Sequence, residues 1–346
     1  MMKRLDHLIN SSDGGMKVAT FDILAANLLS PMVLAFALGI FAKLVRSELA
    51  LPKDLYSSLS IYLLLALGLK GGVELSESSI DAIAWPIAVT LLLGCITPIS
   101  AYYLLKHLGK FNSIDSAAMA AHYGSVSAVT FIAAQQFTAS MGAPAEGYMS
   151  TLLTLLESPG IHIALAIGAL NRVAPASEND SPLKNKSTIL HEIMTSRSMI
   201  LLVGGLVIGV LMGTQRYEPI KPFFETGFKG ALVLFILEMG IVAATRFQDL
   251  KRVGLRIVGL GMLLPVIHGA LGVYLAHWAG LSVGGATVLG TMAASASYIA
   301  APPAVRMTLP EANPAYYLTA SLAVTFPFNL LIGIPCFYQM ALWLHA

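Results

Sequence analysis

The chain has 346 residues, of which 56% are hydrophobic and only 12% are charged. Soluble domains carry roughly 25% charged residues, so a water-soluble fold of this composition would lack the charged shell that keeps it dispersed. The formal net charge of +2 offers no basic surface for nucleic acid. Composition thus argues against a soluble or nucleic-acid-binding protein and predicts a chain that is solvated by lipid.

Long apolar stretches predict about ten membrane-spanning helices, because a span needs about 20 apolar residues whose backbone groups are satisfied within the helix. No signal peptide is expected before the first span, and either Met1 or Met16 could start the functional protein. Cys95 and Cys336 lie inside apolar runs and are interpreted as packing residues. The predicted spans are 29–46, 55–73, 82–105, 115–137, 148–170, 198–214, 229–245, 253–277, 284–305 and 315–343.

The longest polar stretch between these helices divides the chain into two groups of five. We therefore predict an amino-terminal tail and the start of the first span at 1–28, a first repeat at 29–170, a cytoplasmic linker at 171–197 and a second repeat at 198–346. Fourteen of the 21 Lys and Arg residues follow odd-numbered helices. The positive-inside rule then predicts both termini outside the cytoplasm and the central linker within it. We expect a multi-pass protein of the cell (inner) membrane.

The two halves superpose when the chain is shifted by 170 residues. Gly39 then meets Gly209, Ser125 meets Ser295, and Ser127 meets Ser297. Because five helices is an odd number, the second half enters the membrane upside down. The predicted fold is an all-α membrane protein with about ten transmembrane helices in two inverted five-helix repeats, which is a transporter architecture with its site at mid-membrane.

Small and hydroxyl residues occupy the middle of helices four and nine. Pro302 and Pro303 must also break the hydrogen bonding of helix nine. Interrupted helices aim N–H groups and a partial positive charge into the membrane centre, which suits a small inorganic anion. The alternative is that small residues only let helices pack closely. The candidate substrate-binding residues are Gly124, Ser125, Ser127, Thr130, Ser295 and Ser297.

Two carboxylates are expected within the membrane, where ionisable groups usually mark a cation or proton path. Glu157 precedes Ser158-Pro159 in helix five, and Thr325 and Asn329 of helix ten could add oxygen ligands for Na⁺. Glu238 in helix seven is either a coupling residue or the partner of an interhelical donor. No cofactor beyond this coupling ion is predicted.

Three histidines also fall within the spans. His162 and His268 are interpreted as hydrogen-bonded structural residues, whereas His122 abuts the Gly124–Thr130 segment and is a candidate for coupling. Enzyme motifs such as His-Glu-x-x-His, the Walker A loop and Gly-x-Ser-x-Gly do not occur. An intramembrane serine protease using Ser125 or Ser127 with His122 would leave the inverted duplicate unexplained, so a non-enzyme is predicted.

With these residues in view, the chain resembles the sodium-dependent bicarbonate transporter family known from cyanobacteria. The resemblance runs from about Ser30 to the last helix. Its more specific stretches are Pro265–Gly269 and Pro302–Pro314, and it also includes Gly68–Gly72, Gly124–Thr130 and Ala293–Ser295.

The resemblance implies uptake of HCO₃⁻ driven by the inward Na⁺ gradient. It also implies ten helices in two inverted halves, outward-facing termini, and a homo-oligomer, often a trimer, regulated by a small cytosolic nucleotide-binding protein. Glu157 matches an acidic position of the family in helix five.

Tyr298 and Val242 stand where the family pattern has acidic residues. Glu238 lies one helical turn from Val242 and could replace the acid lost there. The central linker is also shorter than the cyanobacterial one. These departures leave three functions open: sodium-coupled uptake of bicarbonate or a similar oxyanion, proton-coupled transport of another small anion, and a non-transporting receptor or scaffold.

Overall fold

The computed structural model describes residues 23–157, 159–171, 195 and 197–346, and within these ranges the chain is helical and forms no strand. Most of the predicted tail and of the predicted linker lie outside the described residues. The first half contains α1 (Pro31–Leu44), α2 (Lys53–Glu77), α3 (Ile80–His107), α4 (Ser113–Tyr123), α5 (Ala128–Ser140), α6 (Met149–Glu157) and α7 (Pro159–Leu170).

The second half begins after the linker. Its elements are α8 (Arg197–Tyr217), α9 (Gly227–Val253), α10 (Leu255–Trp278), α11 (Val283–Ala294), α12 (Ala301–Thr308), α13 (Pro314–Leu318), α14 (Phe326–Phe328) and α15 (Ile334–His345). Wider π-helical turns precede α9 and separate the last three elements. They cover Pro222–Thr226, Thr319–Thr325 and Asn329–Gly333.

Eight helical segments of the described chain are long and apolar enough to cross a membrane. They coincide with eight of the predicted spans, and the shorter apolar helices α1 and α11 lie on the first and ninth. The seventh prediction, 229–245, was too short, because that segment runs over Pro222–Leu250. Charged residues near both of its ends lower the local hydropathy without interrupting the helix.

Side-chain caps begin several of these helices, because the first backbone N–H groups of a helix have no intrahelical partner. Ser30 caps α1 and Ser79 caps α3. Asn112 accepts the N–H of Asp115 at the start of α4, at 2.8 Å. Ser282, 170 residues later, caps α11 in the same way.

Close glycine contacts join helices from different halves. A Cβ atom on Gly39 of α1 would overlap the carbonyl oxygen of Leu237 in α9, and one on Gly209 of α8 would overlap that of Leu69 in α2. Such small-residue contacts let membrane helices approach closely. We call α1, α2, α8 and α9 the first bundle. The second bundle, α3–α7 with α10–α15, is held together by packing of α10 on α11 and of α4 on α7.

Candidate functional site

Both helix interruptions predicted from the sequence are present. The fourth predicted span, helix four, consists of α4, which ends at Tyr123, and α5, which begins at Ala128. The ninth predicted span, helix nine, consists of α11, which ends at Ala294, and α12, which begins at Ala301. The serines of the two interruptions are all buried, with 1–5% of their surface exposed. The serines of both interruptions therefore lie inside the protein, whereas Ile299 of the second interruption is 38% exposed.

The two interruptions contact each other directly. The backbone N–H of Ser297 donates to the carbonyl oxygen of His122 at 2.8 Å, and Nδ1–H of His122 donates to the carbonyl oxygen of Ser297 at 2.5 Å. The N–H of Ser127 donates to Oγ of Ser295 at 2.9 Å. Residues about 170 positions apart thus satisfy the backbone groups that each interruption frees.

Two serines predicted to bind substrate also accept backbone N–H groups of the residues that follow them, and Ser127 is the N-cap of α5. Oγ of Ser127 accepts the N–H of Thr130, and Oγ of Ser297 accepts those of Ala300 and Ala301, at 3.3–3.4 Å. The sequence predicted bare amide groups here, and the caps satisfy part of them. A capping hydroxyl keeps its own proton to donate, because the cap uses only an oxygen lone pair.

The remaining candidates of helix four contact helix five. The Ser125 hydroxyl donates to the carbonyl oxygen of Glu157 at 3.0 Å. Gly124 packs against Gly160 so closely that a Cβ atom on Gly160 would overlap the Gly124 carbonyl oxygen. The structure thus gives Gly124 the packing role considered as an alternative, and any contact of Gly124 with substrate stays a prediction.

The predicted cation ligands border different interruptions. Glu157 ends α6, is only 7% exposed, and adjoins the interruption of helix four through Ser125. Asn329 donates from Nδ2 to the carbonyl oxygen of Ala294 at the end of α11, at 2.9 Å. Its Oδ1 atom is buried without a hydrogen-bond partner. These contacts connect the carboxylate with helix four and the amide with helix nine.

Thr325 is fixed by two hydrogen bonds. It donates to the carbonyl oxygen of Gly261 at 2.8 Å, and the hydroxyl of Tyr123 lies 2.7 Å from its Oγ1 atom. Because the Thr325 proton is used for Gly261, Tyr123 is the donor in the second bond. Thr325 therefore connects α10 with the end of α4, beside the first interruption.

Glu238 contacts a loop of the first bundle. Its Oε2 atom accepts the backbone N–H of Leu51, between α1 and α2, at 3.2 Å. This contact agrees with the alternative in which the carboxylate pairs with a donor of another segment. A coupling role for Glu238 stays a prediction.

The histidines have structural partners. The His122 ring stacks on Tyr317 at 4.7 Å between centroids, and His268 lies 2.8 Å from the Ser100 hydroxyl through Nε2. Since Nδ1 of His122 binds Ser297, that nitrogen is not directed at either serine of a protease-like pair. The geometry offers no nucleophile and base in contact here.

Sequence reasoning missed several residues around these interruptions. Tyr123 and Tyr317 give no signal of their own in an apolar run, yet they hold Thr325 and His122. Asn27 is buried just before α1 and donates to the carbonyl oxygens of Leu330 and Leu331. An amide ahead of the first span was the one available signal for that contact.

Multiple apolar helices, with two interrupted helices that meet inside the protein, define a multi-pass membrane protein of the transporter class. The family model described as "Na+-dependent bicarbonate transporter superfamily" matches residues 31–342, nearly the whole chain. The chain belongs to this superfamily, so the resemblance stated above is confirmed. A comparison with curated proteins gives no match.

Proposed function

We propose that the protein is a secondary active transporter that takes up bicarbonate, or a similar small oxyanion, together with Na⁺. The observation that carries this proposal is the buried contact between the two interruptions, through Ser127 with Ser295 and through Ser297 with His122. Membership of the superfamily supports the choice of solute and ion.

The anion binds, in this proposal, at the start of α5. The first N–H groups of a helix carry a partial positive charge, and Ala128 and Val129 occupy that first turn. The hydroxyl protons of Ser127, Thr130 and Ser297 complete the donor set. Pro302 and Pro303 have no N–H group to offer, so the α12 side contributes mainly its serine.

The co-transported cation is held by oxygen atoms near the same junction. Glu157 supplies the negative charge, and the unpaired Oδ1 atom of buried Asn329 is an acceptor of the hard type that Na⁺ prefers. Thr325 orients this region through its bonds to Tyr123 and Gly261. The carboxylate is the group whose charge couples the ion to the anion.

The architecture in this proposal has ten crossings in two inverted repeats. Equivalent contacts of the two halves support the inversion. Asn112 and Ser282 are the N-caps of α4 and α11 at equivalent positions of the two halves. Asp115 in the first turn of α4 accepts the N–H of Asn313 from the second half. Glu146 of the first half accepts the N–H of Ser282 at the start of α11. The loop of each half thus contacts the start of the interrupted helix of the other. The distribution of Lys and Arg supports termini outside the cytoplasm, and the inner membrane is the location we propose.

Transport proceeds by alternating access, in which the second bundle moves against the first around the junction. A cavity of about 230 Å³ between α1, α5 and α9 supports a passage along this boundary. Lys229, Gln136 and Ser30 are among its lining residues. A trimer and a cytosolic regulatory partner remain expectations from the family.

The experiment is uptake of labelled bicarbonate by the purified protein in lipid vesicles. Relative to protein-free vesicles, we expect an inward Na⁺ gradient to drive accumulation. An inward proton gradient with equal Na⁺ on both sides should add nothing to the CO₂ that crosses the lipid and is trapped as bicarbonate. Accumulation above that of protein-free vesicles, driven by protons alone, would support a proton-coupled carrier. No uptake of bicarbonate or of other small anions under any gradient would support a receptor or scaffold.

A further inference from the structure

Two histidines meet where α10 and α15 end, outside the interrupted segments. Nδ1 of His277 lies 3.3 Å from Nε2 of His345, with ring centroids 4.4 Å apart and ring planes at 82°. The helices that carry them are packed closely, since a Cβ atom on Gly269 of α10 would overlap the ring of Phe337 in α15. The pair is therefore positioned by the fold, and His345 is exposed to solvent.

The contacts of His345 favour a proton or a metal cation at Nε2. Its Nδ1 atom lies 2.8 Å from the carbonyl oxygen of Ala341, and its Nε2 atom lies 2.9 Å from that of Leu281. A carbonyl oxygen only accepts, and a neutral imidazole carries one N–H. With Nδ1–H given to Ala341, the lone pair of Nε2 faces the Leu281 oxygen and the nitrogen of His277. Either a second proton on His345 or a metal ion bound by both rings would remove this repulsion between lone pairs.

We propose that His277 and His345 form a binding site for a divalent transition-metal ion of the zinc type. Two imidazole nitrogens bound to one tetrahedral Zn²⁺ at about 2.0–2.1 Å lie roughly 3.3 Å apart, which is the separation of this pair. Donation by the second ring nitrogen to a backbone carbonyl, as from His345 to Ala341, is the outer contact that ligating histidines make.

The surroundings favour a cation of this kind. The Leu281 oxygen is a third candidate ligand, and water completes the coordination because the pair is accessible to solvent. Both helices end here, so their partial negative charges favour a cation. Imidazole ligands select Zn²⁺, Ni²⁺ or Cu²⁺ over Mg²⁺.

The test is metal titration of the purified full-length chain, freed of any polyhistidine tag. We expect one equivalent of Zn²⁺ to bind per chain, measured by competition with a chromogenic chelator, and to raise Tm, while Mg²⁺ does neither. His277→Ala and His345→Ala should each abolish this binding. His107→Ala is the matched control, because His107 is the repeat-related histidine and stacks on Tyr103 without a second histidine.

Two results would overturn the proposal. Zinc binding that is equal in the wild type and in both variants would place the metal elsewhere. A wild type that binds no Zn²⁺ but is selectively stabilised by acidification, relative to both variants, would mean that a shared proton joins the pair. Since none of these measurements involves uptake, they are independent of the proposed transport function.

Discussion

His122 and Ser297 exchange two hydrogen bonds across the interrupted helices, one in each direction between the segments. These bonds join two backbone breaks that would otherwise leave polar groups unsatisfied inside a membrane protein. The two half-helices are thereby fixed relative to each other, so the anion that we propose to bind at their junction would meet a prearranged set of donors.

Replacing His122 tests this connection. His122→Ala leaves the carbonyl oxygen of Ser297 buried without its donor, which costs about 1–3 kcal/mol. We expect a lower thermal unfolding temperature in detergent and reduced uptake. His107→Ala, at an exposed position in α3, should change neither. A His122→Ala protein as stable as the wild type would show that the bond contributes nothing.

Ser127→Ala separates capping from anion binding when it is compared with Ser282→Ala. Both serines cap a helix, so each substitution should cost about 0.5–2 kcal/mol of stability. Only Ser127 donates to the anion in our proposal, and a hydrogen bond to a charged group contributes about 1.5–3 kcal/mol. We expect roughly 10–100-fold weaker apparent affinity for bicarbonate in Ser127→Ala alone, measured from the concentration dependence of uptake. Equal uptake defects in both variants would assign the effect to capping.

Glu157→Gln tests sodium coupling, because the amide keeps the shape of the side chain and removes its charge. We expect the variant to fold and to lose the dependence of uptake on Na⁺. Glu238→Gln is the comparison, since its amide oxygen can still accept from Leu51, and retained sodium dependence there would leave Glu238 with the pairing role alone. The measurement is the initial rate of uptake over a series of Na⁺ concentrations. Unchanged sodium dependence in Glu157→Gln would reject the coupling role.

The contact between helices four and five makes Gly160 sensitive to a single methyl group. In Gly160→Ala the new Cβ atom would overlap the backbone of Gly124, and overpacking of this kind costs about 1–3 kcal/mol or more. Gly259→Ala, in α10 with nothing within 4 Å of the added atom, should keep full stability and activity. Thermal unfolding and uptake are measured for both variants. Equal unfolding temperatures and uptake rates would show that Gly160 and Gly124 are farther apart than described.

Sequence reasoning found the helices because a membrane imposes long apolar runs, and it found the interruptions because small polar residues and Pro302-Pro303 are costly inside a span. It underestimated the seventh segment, where Lys229 and Arg246 are accommodated within a continuous helix. Hydropathy reports the free energy of transfer into lipid. The charged ends of this helix need not lie in lipid, so hydropathy does not detect them as part of it.

The contacts of the site were beyond this reasoning. Asn329 and Ala294, or Glu238 and Leu51, are joined through backbone groups that look alike at every position of the sequence. Only the folded chain determines which carbonyl or N–H is left free beside a given side chain. For the same reason the sequence could not foresee that Ser127 and Ser297 accept the N–H groups of Thr130 and Ala300.

The most direct test of the account measures where the anion lies. Solid-state NMR of the protein in lipid, with ¹³C-bicarbonate and ¹⁵N-alanine labelling, can detect dipolar coupling between the bound carbon and the amide of Ala128. We expect this coupling in the presence of Na⁺, and we expect its loss in Ser127→Ala but not in Ser282→Ala. Bound bicarbonate without any coupling to Ala128 would place the anion elsewhere and contradict the account.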